Sequence, residues 1–164
     1  MSTVLTQPAY HLELIDGREI QKALPKKLHA IIETYLIVTV GAQLARQKYN
    51  VLPELNVLCG DDRLVPDIAV ARRSAKYRDG DLADPASLCI EIFSPGQTFS
   101  TLLDRAERLL KAGTPVCWLI WPERRQAWVY TAEQLREAGE VLTGTLGDED
   151  SITIRAAEMW AELD

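Results

Sequence analysis

The chain has 164 residues, 47% hydrophobic and 26% charged, which is the balance of an ordinary globular domain and excludes a disordered or fibrous protein. Its apolar stretches are interrupted well before the roughly 20 residues of a bilayer span, and no basic start precedes an apolar run, so we expect a single cytoplasmic domain over 1–164 without a membrane segment. The net charge of −6 arises in residues 132–164, since 16 basic and 15 acidic residues nearly balance in 1–131, and it therefore does not exclude a nucleic-acid partner.

Two short strands and a long helix are predicted in the first 48 residues. The segment "YHLELIDGREIQKA" alternates in polarity on both sides of Asp16 and Gly17, a dipeptide typical of tight hairpin turns. Behind Pro25, apolar residues recur at helical spacing to about Lys48, which predicts a core helix.

The central part of the sequence predicts strands at 51–58, 65–71 and 88–93, separated by the turn "CGDDR" and a longer polar loop. An amphipathic helix is predicted from Phe99 until Gly113 ends it. Two strands follow, at 116–121 and 126–130, across the turn "PERR". The remainder suggests a helical turn in "AEQLREAG", a strand at 152–154 and a short helix in "AAEMWAELD".

This order of elements predicts an α/β fold in which a mixed β-sheet is flanked by helices. The strand–helix–strand passage over 88–121 is typical of a right-handed crossover between two parallel strands. Hairpins are expected to make up the rest of the sheet.

Two carboxylates stand inside apolar runs, Asp67 in "VPDIAV" and Glu91 in "CIEIFSPG". A buried charge requires a partner or a function, because removing water from it is costly. Strand alternation directs each carboxylate away from the more apolar face of its strand. Neighbouring strands would let the two converge on a divalent cation, and a salt bridge or an exposed sheet edge is the alternative explanation.

Cysteines and basic clusters give weaker signals. Cys59, Cys89 and Cys117 are odd in number and lie in apolar runs, which indicates reduced core thiols. Clusters at 22–27, 72–78 and 124–125 could contact phosphates, and solvated surface is the alternative for each.

The segments "ELIDGRE", "LPELNV", "VPDIAV", "LCIEIFSPGQT" and "LLDRAERLLKAGTPVCWLIWP" occur in the order and spacing of the Uma-two family, and this sequence resembles that family over nearly its whole length. The family is a branch of the PD-(D/E)xK nucleases. The resemblance implies a restriction-endonuclease-like core and magnesium-dependent cleavage of phosphodiesters. It makes Pro66 and Asp67 the PD signature and Glu91 the second acidic ligand.

The sequence departs from the family pattern at the lysine. In the wider superfamily a lysine stands two residues after the glutamate, where this chain has Phe93, and in the Uma-two family it usually comes from the following helix, where this chain has Arg105. A guanidinium stays protonated and cannot act as a base, but Arg105 could stabilise charge on a phosphate. Trp121 is a second departure, since "WLIWP" replaces the commoner "WLIDP".

The sequence therefore predicts a metal-dependent endonuclease with Asp67, Glu91 and Arg105 as catalytic residues. Asp67 and Glu91 would hold Mg²⁺ or Mn²⁺, and Glu54 could add a third carboxylate, while Glu33, one turn after His29, is a weaker candidate. An exposed or structural role is the favoured alternative for Glu54 and Glu33. We expect a nucleic-acid partner, with DNA favoured, and a homodimer as a candidate assembly. The alternative is a catalytically inactive binding or interaction module that keeps the nuclease fold. The direction of the Arg105 side chain separates the two hypotheses.

Overall fold

The computed structural model describes residues 11–147 and 150–164, so Tyr10 of the predicted hairpin lies outside it. The helices described are α1 (Lys27–Gln43), α2 (Phe99–Lys111) and α3 (Ala156–Ala161). The strands described are β1 (Leu12–Ile15), β2 (Arg18–Gln21), β3 (Tyr49–Pro53), β4 (Val57–Cys59), β5 (Asp62–Leu64), β6 (Ile68–Arg72), β7 (Tyr77–Arg78), β8 (Asp81–Leu82), β9 (Leu88–Ile92), β10 (Cys117–Trp121), β11 (Gln126–Tyr130), β12 (Leu135–Glu137), β13 (Val141–Thr145) and β14 (Ser151–Arg155).

The strands form a central sheet, an outer sheet and a separate hairpin. The central sheet has the order β12-β11-β10-β9-β6-β3, and the outer sheet has the order β2-β1-β5-β4-β8-β7. Both sheets are mixed, since β9 pairs with β10 in parallel and β4 pairs with β8 in parallel while the other pairs are antiparallel. The expected α/β fold with mixed sheet flanked by helices is confirmed, and so is the parallel pair joined by α2.

The two long helices cover opposite faces of the central sheet. Ile32 and Leu36 of α1 belong to one buried cluster, together with Ile90 of β9. Leu102 of α2 belongs to the other, together with Cys89 of β9 and residues of the outer sheet. The alternation of β9 therefore places Ile90 under α1 and Glu91 under α2, as the sequence predicts.

Several predicted boundaries are wrong, and the strand expected at 65–71 begins only at Ile68. The strand expected at 51–58 is divided between the two sheets, because Glu54 adopts a left-handed φ of 52° that interrupts the extended chain. The first helix ends at Gln43 instead of about Lys48, where Leu44 turns to an extended conformation before β3.

The C-terminal segment differs most from its prediction. Within "AEQLREAG", Leu135–Glu137 form β12 on the edge of the central sheet instead of a helical turn, because pairing with β11 decides their conformation. The strand expected at 152–154 is present as part of β14, and its partner β13 was not predicted. Gly144 lies within β13, and a glycine weakens the sequence signal of a strand. A Cβ at this position would lie 3.3 Å from the ring of Trp118.

No helix within the described residues has the length and apolarity to cross a membrane.

Candidate active site

Three carboxylates lie in a row at one end of the neighbouring strands β3, β6 and β9 of the central sheet. Glu54 follows β3 and its backbone N–H donates to the carbonyl of Asp67 at 3.1 Å. Asp67 immediately precedes β6, although the strand predicted at 65–71 contained it. Its Oδ2 accepts the backbone N–H of Ile92, next to Glu91, at 2.6 Å. The sheet therefore brings together Glu54, Asp67 and Glu91 at the carboxyl end of the parallel pair.

A lysine reaches this row from an unexpected element. Lys22 directly follows β2 in the outer sheet, and its Nζ lies 2.7 Å from Asp67 Oδ1 and 3.0 Å from Glu54 Oε2. The segment after it, 23–27, is exposed, but the Lys22 side chain itself is nearly enclosed. The site thus contains an ammonium group, although the lysine positions of the family pattern hold Phe93 and Arg105.

The first turn of α1 adds a histidine. His29 Nε2 lies 3.2 Å from Asp67 Oδ1 and 3.8 Å from Glu33 Oε2, one helical turn further along. On the other side of the ring, Nδ1 is within hydrogen-bonding distance of Ser94 Oγ, at 2.9 Å. Glu33, which the sequence analysis named as a weaker candidate, and His29 therefore belong to the same group of side chains.

Arg105 points towards the carboxylates and is buried, with 5% of its surface exposed. It donates to Glu91 Oε1 at 3.0 Å, to Glu13 Oε2 and to the carbonyl oxygen of Val65 at 3.2 Å. Glu13 in β1 also accepts the N–H of Val65 at 2.7 Å. Arg105 consequently pairs with two buried carboxylates and links α2 to the outer sheet and to the central sheet.

The carboxylates respond differently to this environment. Burial raises the pKa of Asp67, but the contact with His29 and the Lys22 ammonium more than reverse this effect, so its pKa is about 2. Burial raises the pKa of Glu91 to about 7 against the opposing charge of Arg105. Burial, together with the charges of Asp67 and Glu54, also raises the pKa of Glu33 to about 7. Asp67 therefore keeps its negative charge more readily than Glu91.

Aromatic side chains border the site where β9 and β10 end. Phe93 stacks on Trp121 with ring centroids 3.9 Å apart, and the Arg124 guanidinium lies 4.0 Å from the Trp121 ring centroid. Trp121, which replaces the usual aspartate, thus contributes a flat apolar and cation-binding surface instead of a charge.

A family model with the description "Uma2: Putative restriction endonuclease" matches residues 3–159 of this chain. The chain belongs to the Uma2 family. It is also similar to the crystal structure of a "putative nuclease belonging to DUF820" from Anabaena variabilis, with 25% sequence identity over 93% of this chain and 90% of that chain and a TM-score of 0.78. No curated protein matches the chain. Family and fold together support nuclease function in general, and they confirm the resemblance seen in the sequence.

Within this Uma2 domain, sequence reasoning missed two members of the site. Glu13 lies between Leu12 and Leu14 in the predicted hairpin, where a charged residue belongs to the ordinary alternation of a strand and carries no special signal. Lys22 carries no signal either. It lies 45 residues before Asp67 in a basic segment that suggested only phosphate contacts, and only the position of the outer sheet brings it to the carboxylates.

Proposed function

We propose that this Uma2 protein is a divalent-metal-dependent endonuclease that hydrolyses phosphodiesters of nucleic acid, with DNA as the favoured substrate. The observation that supports it most is the row of Glu54, Asp67 and Glu91 at one end of neighbouring strands, with Asp67 and Glu91 buried, Glu54 partly exposed and the Lys22 ammonium beside them. Carboxylates held together in this way repel one another unless cations lie between them, and such an arrangement is typical of a functional site.

The donor set fits Mg²⁺ or Mn²⁺, which both prefer oxygen ligands. Asp67, Glu91 and Glu54 would supply these oxygens, with the backbone carbonyl of Ile92 as a further donor. A bound ion of this kind lowers the pKa of a coordinated water and stabilises negative charge on the phosphate.

Lys22 is the residue that we assign to the role of the family lysine. An ammonium can orient the attacking water, and in contact with the scissile phosphate it stabilises the developing charge. The sequence suggested that Arg105 stabilises the charge on the phosphate. In this proposal Arg105 is a positioning residue, because its buried guanidinium donates to Glu91 and Glu13 and therefore fixes the position of the Glu91 carboxylate.

Plasmid nicking tests the proposal. Wild-type protein should convert supercoiled plasmid to nicked circles with Mg²⁺ or Mn²⁺ and not with EDTA, and Asp67→Asn and Lys22→Met should each lower the rate by about a hundredfold or more. Glu158→Gln, on the exposed side of α3, is the matched control and should cleave like wild type. Nicking by Asp67→Asn at the wild-type rate would exclude this site as the origin of the activity.

The second candidate is an inactive nuclease-fold binding module, and one feature favours it. Each of the two key carboxylates already has a cation of the protein beside it, Lys22 at Asp67 and Arg105 at Glu91. If wild type binds DNA but cleaves neither DNA nor RNA with either metal, this second function replaces the first.

The homodimer also stays a proposal. Helix α1 buries Ile32 and Leu36, yet its outer side carries Ile31, Tyr35 and Val38, the last of which is 65% exposed. A second copy would cover this apolar side. Sedimentation should give twice the monomer mass for wild type and the monomer mass for Val38→Glu.

A further inference from the structure

A second group of potential ligands lies beside Asp67. His29 and Glu33 are four residues apart on α1 and therefore share one helix face, and Glu54 approaches them from the end of β3. One ligand atom from each of the three side chains can be chosen so that all lie within 4.8 Å of one another. The left-handed backbone of Glu54 is what turns its carboxylate towards the helix, because β3 would otherwise continue past it.

His29 supplies the observation that indicates a ligand. Its side chain is 3% exposed, and Nε2 makes no hydrogen bond of acceptable geometry to any residue within 11–147 or 150–164. Nε2 lies 3.2 Å from Asp67 Oδ1 without forming a well-directed hydrogen bond, and a buried ring nitrogen in this situation needs an explanation. Nε2 faces the carboxylates of Asp67 and Glu33, whereas Nδ1 is held by Ser94 Oγ at 2.9 Å. A partner at Nδ1 that fixes the ring while Nε2 faces anions is the usual environment of a metal-binding histidine.

The charges around His29 also favour an additional cation. Glu33, Glu54 and Asp67 are three carboxylates close to His29. The Lys22 ammonium contacts Glu54 and Asp67, whereas Glu33 has the His29 ring as its neighbour, with Oε2 3.8 Å from Nε2. A divalent ion between His29, Glu33 and Glu54 would supply the positive charge that Glu33 lacks.

We propose that His29, Glu33 and Glu54 bind a divalent transition-metal ion, at a position separate from the one between Asp67 and Glu91. One imidazole nitrogen with two carboxylates suits Mn²⁺, Fe²⁺, Co²⁺ or Zn²⁺, whereas Mg²⁺ selects oxygen donors. Ligand atoms around such an ion lie about 3 Å apart, so the side chains need to close slightly. Glu54 lies between the two positions and would be shared. The inference does not require nuclease activity.

Mn²⁺ titration tests the site without any activity measurement. The electron paramagnetic resonance signal of free Mn²⁺ disappears on binding, so the titration gives both the affinity and the number of bound ions. His29→Gln and Glu33→Gln should each remove one Mn²⁺ per chain or weaken it by about tenfold or more. Glu158→Gln should titrate like wild type. Mg²⁺ in millimolar excess should leave this Mn²⁺ bound, because it competes poorly for the imidazole nitrogen.

Ser94→Ala is a milder variant that keeps all three ligands. Without its hydroxyl the His29 ring loses its orienting contact, and the affinity for Mn²⁺ should fall by about tenfold. Lys22→Met should act in the opposite direction and strengthen Mn²⁺ binding, because the ammonium competes for Glu54. Circular dichroism confirms that each variant is folded.

The outcomes separate this site from the nuclease proposal. If His29→Gln and Glu33→Gln, both folded, bind Mn²⁺ with the wild-type number and affinity, the proposed site is excluded, whatever the plasmid assay gives. If both lose the ion while Glu91→Gln keeps it, the site is established, even if no variant or wild type cleaves plasmid. Loss of all Mn²⁺ in Glu91→Gln and no loss in the other two would leave only the position between Asp67 and Glu91.

Discussion

The role of Arg105 follows from the buried acceptors that surround its guanidinium. It stands where the family pattern has a lysine, but in this protein it donates to Glu13, Glu91 and the carbonyl of Val65. Its planar fork can satisfy several acceptors at once, whereas an ammonium is a single point charge. Arg105 is therefore the counter-charge that allows two acidic side chains to be buried.

Removal of this guanidinium should destabilise the protein strongly. Arg105→Ala leaves the Glu13 and Glu91 carboxylates buried without a cation, and breaking a buried ion pair in this way costs about 3–5 kcal/mol. Urea denaturation measures the loss of unfolding free energy. Lys111→Ala on the exposed side of the same helix should change it by about 0.5 kcal/mol or less. Equal effects of the two substitutions would contradict the structural role of Arg105.

The three cysteines should be unreactive in the folded protein. Cys59, Cys89 and Cys117 are free and buried, as the sequence predicted, and burial raises the pKa of Cys59 to about 11 and also raises the pKa values of the other two thiols. Because the thiolate is the reactive form, almost none is available at pH 8. Ellman's reagent should label no thiol in native protein and three per chain in denaturant. Rapid native labelling would show that the core opens at these residues.

The sequence predicts those site residues that carry a local signal. Asp67 and Glu91 are found because a charge in an apolar strand is costly and therefore informative. Lys22 is missed because a lysine in a polar segment carries no such cost, and its partners are distant in sequence. A contact of this kind depends on how the outer sheet packs against the central sheet, which no local pattern records.

At the scale of elements, Gly113 shows how one residue ends α2 and positions β10. It has φ +111°, and a Cβ there would lie 2.8 Å from Pro85 Cγ. The sequence correctly identified this glycine as the end of the helix. The substitution Gly113→Ala combines backbone strain with a steric clash.

Gly113→Ala should lower the free energy of unfolding by about 1–3 kcal/mol. Gly139→Ala is the matched control, because a Cβ at Gly139 would meet nothing within 4 Å and its φ is not positive. Thermal melting of the two variants gives the comparison. A Gly113→Ala protein that melts with the control would mean that the turn and Pro85 rearrange without cost.

Long, periodic elements are predicted well and short edge strands poorly, for a physical reason. Helix α2 has a strong apolar face, and β9 is an apolar run under two helices, so each is specified by its own residues. The strand β12 has three exposed residues and exists because β11 offers an unpaired edge. Its sequence favours a helix, and tertiary pairing decides otherwise.

At the scale of the whole molecule, the negative net charge does not extend to the N-terminus of α1. The N-terminus of α1 has no acidic residue in its first turn and no side-chain cap, and Lys26 and Lys27 are exposed beside it. Free N–H groups at a helix N-terminus attract phosphates, and the lysines add charge. The same turn carries His29 of the candidate site, so a phosphate backbone bound here passes the row of carboxylates.

This arrangement predicts how the proposed binding of DNA would depend on salt. Each phosphate contact releases counterions, and the logarithm of the association constant falls with the logarithm of salt concentration by about 0.9 per contact. The double substitution Lys26→Ala and Lys27→Ala should therefore reduce that slope by about 2 and weaken binding to all duplex sequences alike. Arg136→Ala with Lys111→Ala removes the same charge from exposed positions on β12 and on α2, outside the basic clusters, and should keep the wild-type slope. Fluorescence anisotropy at several salt concentrations, with EDTA to prevent cleavage, measures both slopes. If the two double variants lose the same slope, only net charge matters and α1 is not the contact surface.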